Sequence, residues 1–350
     1  MKQMLKHLTL GLAWVLASFA TQALAQSTPQ QVQGSGWQAL TANSPTVTVD
    51  GSGNKYMAWT EVGGWDILFS ELPSGGAWTT PQVVGGTGWT AQTNSGPSLA
   101  VDYNTGLVWL VWKGKQKTDR VWFSTWNGSS WAQQEVVNGS GWNSETNFAP
   151  AISFGTPFEK ASTVYVAWKG ATSTNIWQSN WTYPGWTQQV ASGAQTPIAP
   201  AELGENVFYE GTTSNRIWTN AVGIGAQVAC NFNEPGPNNW VGQTGYKPAA
   251  AALSMVDEPE LDTSSLVVFW KAGKYIYYAT YAYDDDYPLC DWQEETPIFG
   301  EGWTASSSTG PAVASYFNAN GTDIAILAWK NATDDTIWFL DPTTLTYNGL

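Results

Sequence analysis

The stretch that decides the fold reads Ser95-Gly96-Pro97-Ser98-Leu99-Ala100-Val101, then Leu107-Val108-Trp109-Leu110-Val111-Trp112-Lys113-Gly114. It continues as Arg120-Val121-Trp122-Phe123-Ser124, Gly128-Ser129-Ser130-Trp131 and Gln134-Glu135-Val136-Val137. These are strand-length apolar runs rich in Val, Trp and Leu, separated by Gly, Ser and Asn, with no amphipathic helical period. The same unit recurs along the chain. Aligned on Pro45, Pro97, Pro150, Pro200, Pro248 and Pro311, the intervals are 52, 53, 50, 48 and 63 residues, the last lengthened by an acidic insertion at residues 257–262. Four short strands at this period define a propeller blade, because one such sheet must bury both faces against copies of itself.

The expected fold is therefore all-β: a six-bladed β-propeller, four antiparallel strands per blade, over residues 26–350. The last unit ends at Tyr347-Asn348-Gly349-Leu350, where the others carry a fourth-strand Trp (Trp78, Trp131, Trp186, Trp240, Trp292). The missing strand is found at the other end. Thr28-Pro29-Gln30-Gln31-Val32 before Gly36-Trp37 mirrors Thr80-Pro81-Gln82-Val83-Val84 before Gly88-Trp89. An N-terminal strand that completes the last blade closes the ring and leaves no free edge.

Residues 1–25 read as an export signal: Lys2, Lys6 and His7, then an apolar run over residues 8–20 too short to span a bilayer, then Ala23-Leu24-Ala25 as a cleavage site. The expected location is secreted or periplasmic. The whole chain carries a net charge of −14, from 14 basic and 28 acidic residues. Loss of Lys2 and Lys6 makes the mature protein more acidic still, which excludes nucleic acid and anionic membrane as partners. His7 is the only histidine, so Ser-His-Asp and Cys-His catalysis and His-ligated metal sites are excluded. Cys230 and Cys290 either form one disulfide in an oxidising compartment or sit as two small residues.

Trp is the compositional outlier, 23 in all. Trp59, Trp112, Trp168, Trp270 and Trp329 end second strands, and Trp122, Trp177, Trp218 and Trp338 sit in third strands. With the fourth-strand set these fill space between blades. The remaining indoles point to function. The connections from strand four to the next strand one, and from strand two to three, share one face. That face carries Trp37, Trp89, Trp142 and Trp303, with Tyr246 taken as the fifth blade's counterpart. It also carries Lys113, Lys169, Lys271 and Lys330 after the second strand, and Asp119, Asn175, Asn215 and Asp335 (with Asp66) before the third. An aromatic ring beside a Lys donor and an Asp or Asn acceptor suits a neutral sugar, stacked on its C–H face and read through its hydroxyls. Repetition around a ring adds multivalency. The alternative use of the same residues is architectural, with Trp plugging the gaps between blades and Lys–Asp pairs tying loops together. Trp126, Trp181 and Tyr281 lie in turns on the opposite face, either as a second contact surface or packed against neighbouring turns.

Ser124-Thr125-Trp126-Asn127-Gly128-Ser129-Ser130-Trp131 resembles the Asp-box turn of sialidase-type propellers, with Trp126 in place of the Asp, and the chain-long repeat is similar to secreted sialidase-like and lectin-like propellers. Sialidases grip their substrate with three arginines, and fucose-binding six-bladed lectins use an Arg-Glu-Trp set in most blades. This chain has only Arg120 and Arg216. The resemblance implies a sugar-binding propeller with the sugar undetermined. A glycoside hydrolase or lyase built on an acid outside the repeat (Glu145, Glu202, Glu205, Glu210 or Glu301), and a protein-interaction or envelope-assembly propeller, are the competing readings. No cofactor is expected. Asp284-Asp285-Asp286 and Asp334-Asp335 offer oxygens of the kind Ca²⁺ takes, without a defined ligand spacing.

Overall fold

A computed structural model describes residues 28–115, 119–155, 163–221, 227–230, 240–254, 264–281, 292, 295–317 and 323–341. The segment read as an export signal, the acidic insertion, Asp284-Asp285-Asp286, Cys290 and the last nine residues lie outside them.

The second strands are buried along their whole length where the repeat is most regular: every residue of Lys55–Thr60 and Val108–Lys113 is buried. Period-two alternation disappears because each blade is covered on both faces by its neighbours. Blade I is Thr46–Val49, Lys55–Thr60, Ile67–Leu72 and Gln82–Val83; blade II is Ser98–Val101, Val108–Lys113, Val121–Trp126 and Glu135–Val136. Blade III is Ala151–Phe154, Val164–Lys169 and Asn175–Thr182, whose last strand pairs with both Gly185–Trp186 and Val190–Gln195. Blade IV is shorter: Ala201–Leu203, Asn206–Glu210 and Ile217–Thr219, with Gln227 and Val228 completing its edge. Blade V is Ala249–Ser254, Ser264–Ala272, Tyr275–Tyr281 and Thr296–Pro297.

Blade VI is Ala312–Phe317, Asp323–Lys330 and Ile337–Leu340, and its fourth strand is Gln30–Gln31. Gln30 pairs with Phe339 and Gln31 with Trp338. The N-terminal strand thus closes the ring as the sequence implies. Each first strand packs against those of both neighbouring blades, and the circuit returns to its start. These first strands line the axis of a six-bladed propeller.

The second-strand indoles fall where the repeat places them. Trp59, Trp112, Trp168, Trp270 and Trp329 are buried between blades. Removing a Trp of this kind from water contributes on the order of 3 kcal/mol, with more for the close contacts it fills. Trp126 and Tyr281 are buried too, and Trp181 packs edge-on to Trp109 and Trp186. These three opposite-face rings therefore serve packing, while Tyr183 in the same blade III turn is exposed.

Candidate functional site

Between successive blades the chain makes a small hairpin on the face predicted to bind. In four of them the pattern is Gly-x-Gly-Trp. Gly34 pairs with Trp37, Gly86 with Trp89, Gly139 with Trp142 and Gly300 with Trp303. The second glycine turns the chain at φ 81°, 82°, 82° and 79° for Gly36, Gly88, Gly141 and Gly302, a conformation L side chains rarely adopt. The first glycine lies directly under the indole. A Cβ on Gly86 would sit 2.6 Å from Trp89 Nε1, and the other three positions are equally crowded. Each indole is thus folded down over its own hairpin.

Trp37, Trp89 and Trp303 remain half-buried, with an accessible edge at the blade junction. Trp142 differs: it is 7% exposed and stacks on Trp168, ring centroids 6.0 Å apart and planes 9° from parallel. That position serves packing.

Tyr246 is not the hairpin aromatic of the fifth blade. The hairpin pairs Ala229–Cys230 with Trp240–Val241, and Cys230 faces Trp240 as Gly86 faces Trp89. Trp240 also precedes Pro248 by eight residues, the spacing of Trp89 from Pro97. Trp240 therefore belongs with the hairpin indoles and not with the fourth-strand set, while Tyr246 occupies the place of Phe148, two residues before the proline. The hydrogen bonds agree, since Thr146 Oγ1 donates to Phe148 O and Thr244 Oγ1 to Tyr246 O. At the sixth junction Ser192 stands at the indole position and donates to the Ile176 carbonyl.

The lysines lie on the predicted face, but they point inward. Lys113, Lys169 and Lys271 are buried. Lys113 Nζ donates to Asn94 Oδ1 at 2.9 Å, and Lys169 Nζ to the carbonyls of Gly170 and Ser173 at 3.3 and 3.0 Å. Burial holds the Lys169 ammonium below the usual lysine range. Lys271 Nζ donates to Gly273 O at 2.6 Å and lies 3.8 Å from the centre of the Tyr246 ring; Lys169 lies 4.7 Å from that of Phe148. Lys330 makes an ion pair with Asp335 at 2.8 Å and reaches the Ala42 carbonyl. Repeated lysines of this kind brace the loops leading into the first strands.

The residues before the third strands brace the junctions in the same way. The carbonyls of Asp119, Asn215 and Asp335 accept from the backbone N–H of Thr146, Thr244 and Thr41 in the following hairpin. Asn175 Oδ1 accepts from Gln195, and Asp66 Oδ1 from Gln92 at 2.7 Å.

One junction, between blades I and II, carries an exposed platform that repeat-based reading overlooks. Trp65, just before Asp66, is 41% exposed. Lys115 Nζ lies 3.3 Å from the centre of its ring, and the Lys115 backbone N–H donates to Gln92 O. Trp65, Asp66, Gln92 and Lys115 thus form one cluster at the junction that also holds Trp89. No other blade has an aromatic residue at the Trp65 position, so nothing in the repeat marks it.

A second feature lies on the axis. The six loops leading into the first strands surround a cavity of about 320 Å³. A smaller one of about 90 Å³ follows it toward the opposite face, bordered by Tyr103, whose hydroxyl donates to Ser315 O of blade VI at 2.9 Å. Glu202 borders both. Among the described residues, no group of three or more His, Cys, Asp or Glu could hold a metal ion.

No protein-family model matches the chain, and no curated protein matches it in sequence. Solved structures do match in shape. A fucose-recognising lectin of Aleuria aurantia, a six-bladed β-propeller, is 14% identical, with 86% of this chain and 92% of that one covered at a TM-score of 0.55. AofleA from Arthrobotrys oligospora is 10% identical, with 86% and 87% covered at 0.58. A Hadza microbial sialidase is 10% identical at 0.54, with 85% of this chain and 64% of the sialidase covered. Similarity at these identities establishes the fold.

Proposed function

We propose that this protein is an exported carbohydrate-binding propeller that takes neutral glycans at its blade junctions. The observation that carries the reading is the platform of Trp65, Lys115, Asp66 and Gln92. An exposed ring next to a cation, a carboxylate and an amide offers one apolar face and several hydroxyl partners within a sugar's width. Half-buried Trp37, Trp89 and Trp303 extend this around the rim, and several weak sites on one rigid ring suit a dense glycan surface. The acidic net charge favours neutral over polyanionic glycans. Lectins among proteins of similar shape support the same class of ligand. The leader at residues 1–25 fits a protein that meets its ligand outside the cytoplasm.

Hydrolysis is less well supported. Glycoside cleavage uses two carboxyl groups flanking the scissile bond, and among the described residues the axial cavity is lined by one, Glu202.

The test is a glycan array probed with the mature protein. Retention of neutral glycans that falls at least fivefold in Trp65→Ala, and further in Trp65→Ala/Trp89→Ala, is the expected result. An array that retains nothing rejects the reading, and so does release of reducing ends abolished by a single acid substitution.

A further inference from the structure

The axial cavity is built from six equivalent loops, yet it is not sixfold. Two residues after each lead-in proline, five blades place Val47, Leu99, Ile152, Ala250 and Val313; blade IV places Glu202. Immediately before the proline, five blades place Ser44, Gly96, Ala149, Ala199 and Gly310; blade V places Lys247. Among the described residues these two are the only charged ones lining the cavity, and they come from adjacent blades. A scaffold that needed only to close its axis would carry the small or apolar residue at both places.

Neither group is satisfied by the fold. Glu202 is 6% exposed. Its Oε1 accepts from Gln178 Nε2 at 3.2 Å, while Oε2 is buried with no partner. A buried, unpaired carboxyl oxygen is costly and rare in a native structure. Burial raises its pKa well above the usual carboxylate range, against the pull of the Gln178 bond, the Ala167 backbone N–H and the Lys247 charge. Lys247 reaches over blade IV to the Pro150 carbonyl of blade III at 3.1 Å, which uses one of its three hydrogens. Burial lowers its pKa to about 8. The two groups feel each other's field without closing into an ion pair. Beside them the Tyr246 ring, 40% exposed, and the Phe148 ring form the wall of the mouth on the same side.

We propose that the axial cavity is a single-copy site for one neutral sugar residue, whose hydroxyls meet Glu202 Oε2 and Lys247 Nζ while its ring lies against Tyr246 and Phe148. A hydroxyl donates to an ionised carboxylate oxygen, accepts from the O–H of a protonated carboxyl and accepts from an ammonium, so a vicinal diol completes both groups at once. A cavity of about 320 Å³ is at the lower end of small-molecule sites, which begin at roughly 300 Å³. The site shares no residue with the junction platform and stands or falls separately from it.

Titration calorimetry of the mature protein with methyl glycosides of glucose, galactose, mannose and fucose tests this, with glucuronate and N-acetylneuraminate as charged comparators. One neutral glycoside is expected to bind at one equivalent per chain. Binding should fall at least tenfold in Glu202→Val and in Lys247→Ala, and stay unchanged in Trp65→Ala. Both axial variants restore the residue type of the other blades, so a thermal melt no lower than wild type serves as their folding check. The proposal is overturned if no glycoside binds at one equivalent, if both folded axial variants bind as wild type does, or if the charged comparators bind in preference. Loss of array binding in Trp65→Ala with the one-equivalent isotherm intact would instead bear on the rim alone.

Discussion

Blade II and blade IV are built from the same repeat and differ at almost every position that matters. In blade II the second strand ends in Trp112-Lys113, the indole buried between blades and the ammonium tied to Asn94. In blade IV the corresponding pair is Tyr209-Glu210: the ring is half-buried, and the Glu210 carboxyl is buried with an unpaired Oε2, its pKa raised by that burial. Blade II is preceded by the Trp89 hairpin, blade IV by Ser192. Blade II puts Leu99 on the axis, blade IV Glu202. A ring of six can hold one poorly packed member because its neighbours cover both faces. The difference teaches that one unit of a repeat can hold buried polar groups at positions where its regular neighbours hold packing side chains.

The contrast can be broken first with core truncations. Trp168→Ala in regular blade III should cost about 3–5 kcal/mol, read as a large fall in unfolding midpoint, whereas Tyr209→Ala at the same position of blade IV should cost clearly less. Equal losses would mean that blade IV packs as tightly as its neighbours. Next is the glycine beneath the hairpin indole. Gly86→Ala forces Trp89 off its hairpin and should cost about 1–3 kcal/mol by overpacking; an unchanged melting temperature and Trp fluorescence would show that the indole has another resting place.

A smaller effect comes from the buried acid. Because burial raises the Glu202 pKa in the folded state, the fold binds a proton the unfolded chain releases. That contribution is present at low pH and is lost as pH rises through the ordinary carboxylate range toward the raised value. Glu202→Gln should therefore raise the melting temperature by more at pH 7.5 than at pH 4. A uniform shift would mean that Glu202 titrates as in water. Smallest of all, Trp65→Ala on the exposed platform should leave stability within roughly 0.5 kcal/mol of wild type, checked by urea titration. A larger loss would move Trp65 from the surface to the scaffold.

Much of the architecture was legible because spacing and residue type repeat. Six prolines, second strands ending in Trp and the mirrored Thr-Pro-Gln segments are enough to give blade count and closure. The site was less so, for three physical reasons. Long cationic side chains are expected in water, so nothing local announces that Lys113, Lys169 and Lys271 turn inward to brace loops. Tyr246 resembles a hairpin aromatic in sequence because nine residues separate Cys230 from its partner Trp240, whereas the eight-residue spacing to Pro248 marks Trp240. Trp65 and Lys115 occur once, and an alignment of repeats averages unique residues away. Glu202 stood out as an acid outside the repeat, but only the fold brings it beside Lys247 on the axis.

The pairing of Gln30–Gln31 with Ile337–Leu340 sets the order in which the molecule can be finished. Gln30–Gln31 waits, unpaired, until Ile337–Leu340 has emerged. Throughout that interval it fits the last blade of any neighbouring copy as well as its own. Crowded refolding should therefore produce interlocked pairs of chains that exchange this strand, and dilution before the final blade forms is the condition that yields separate rings.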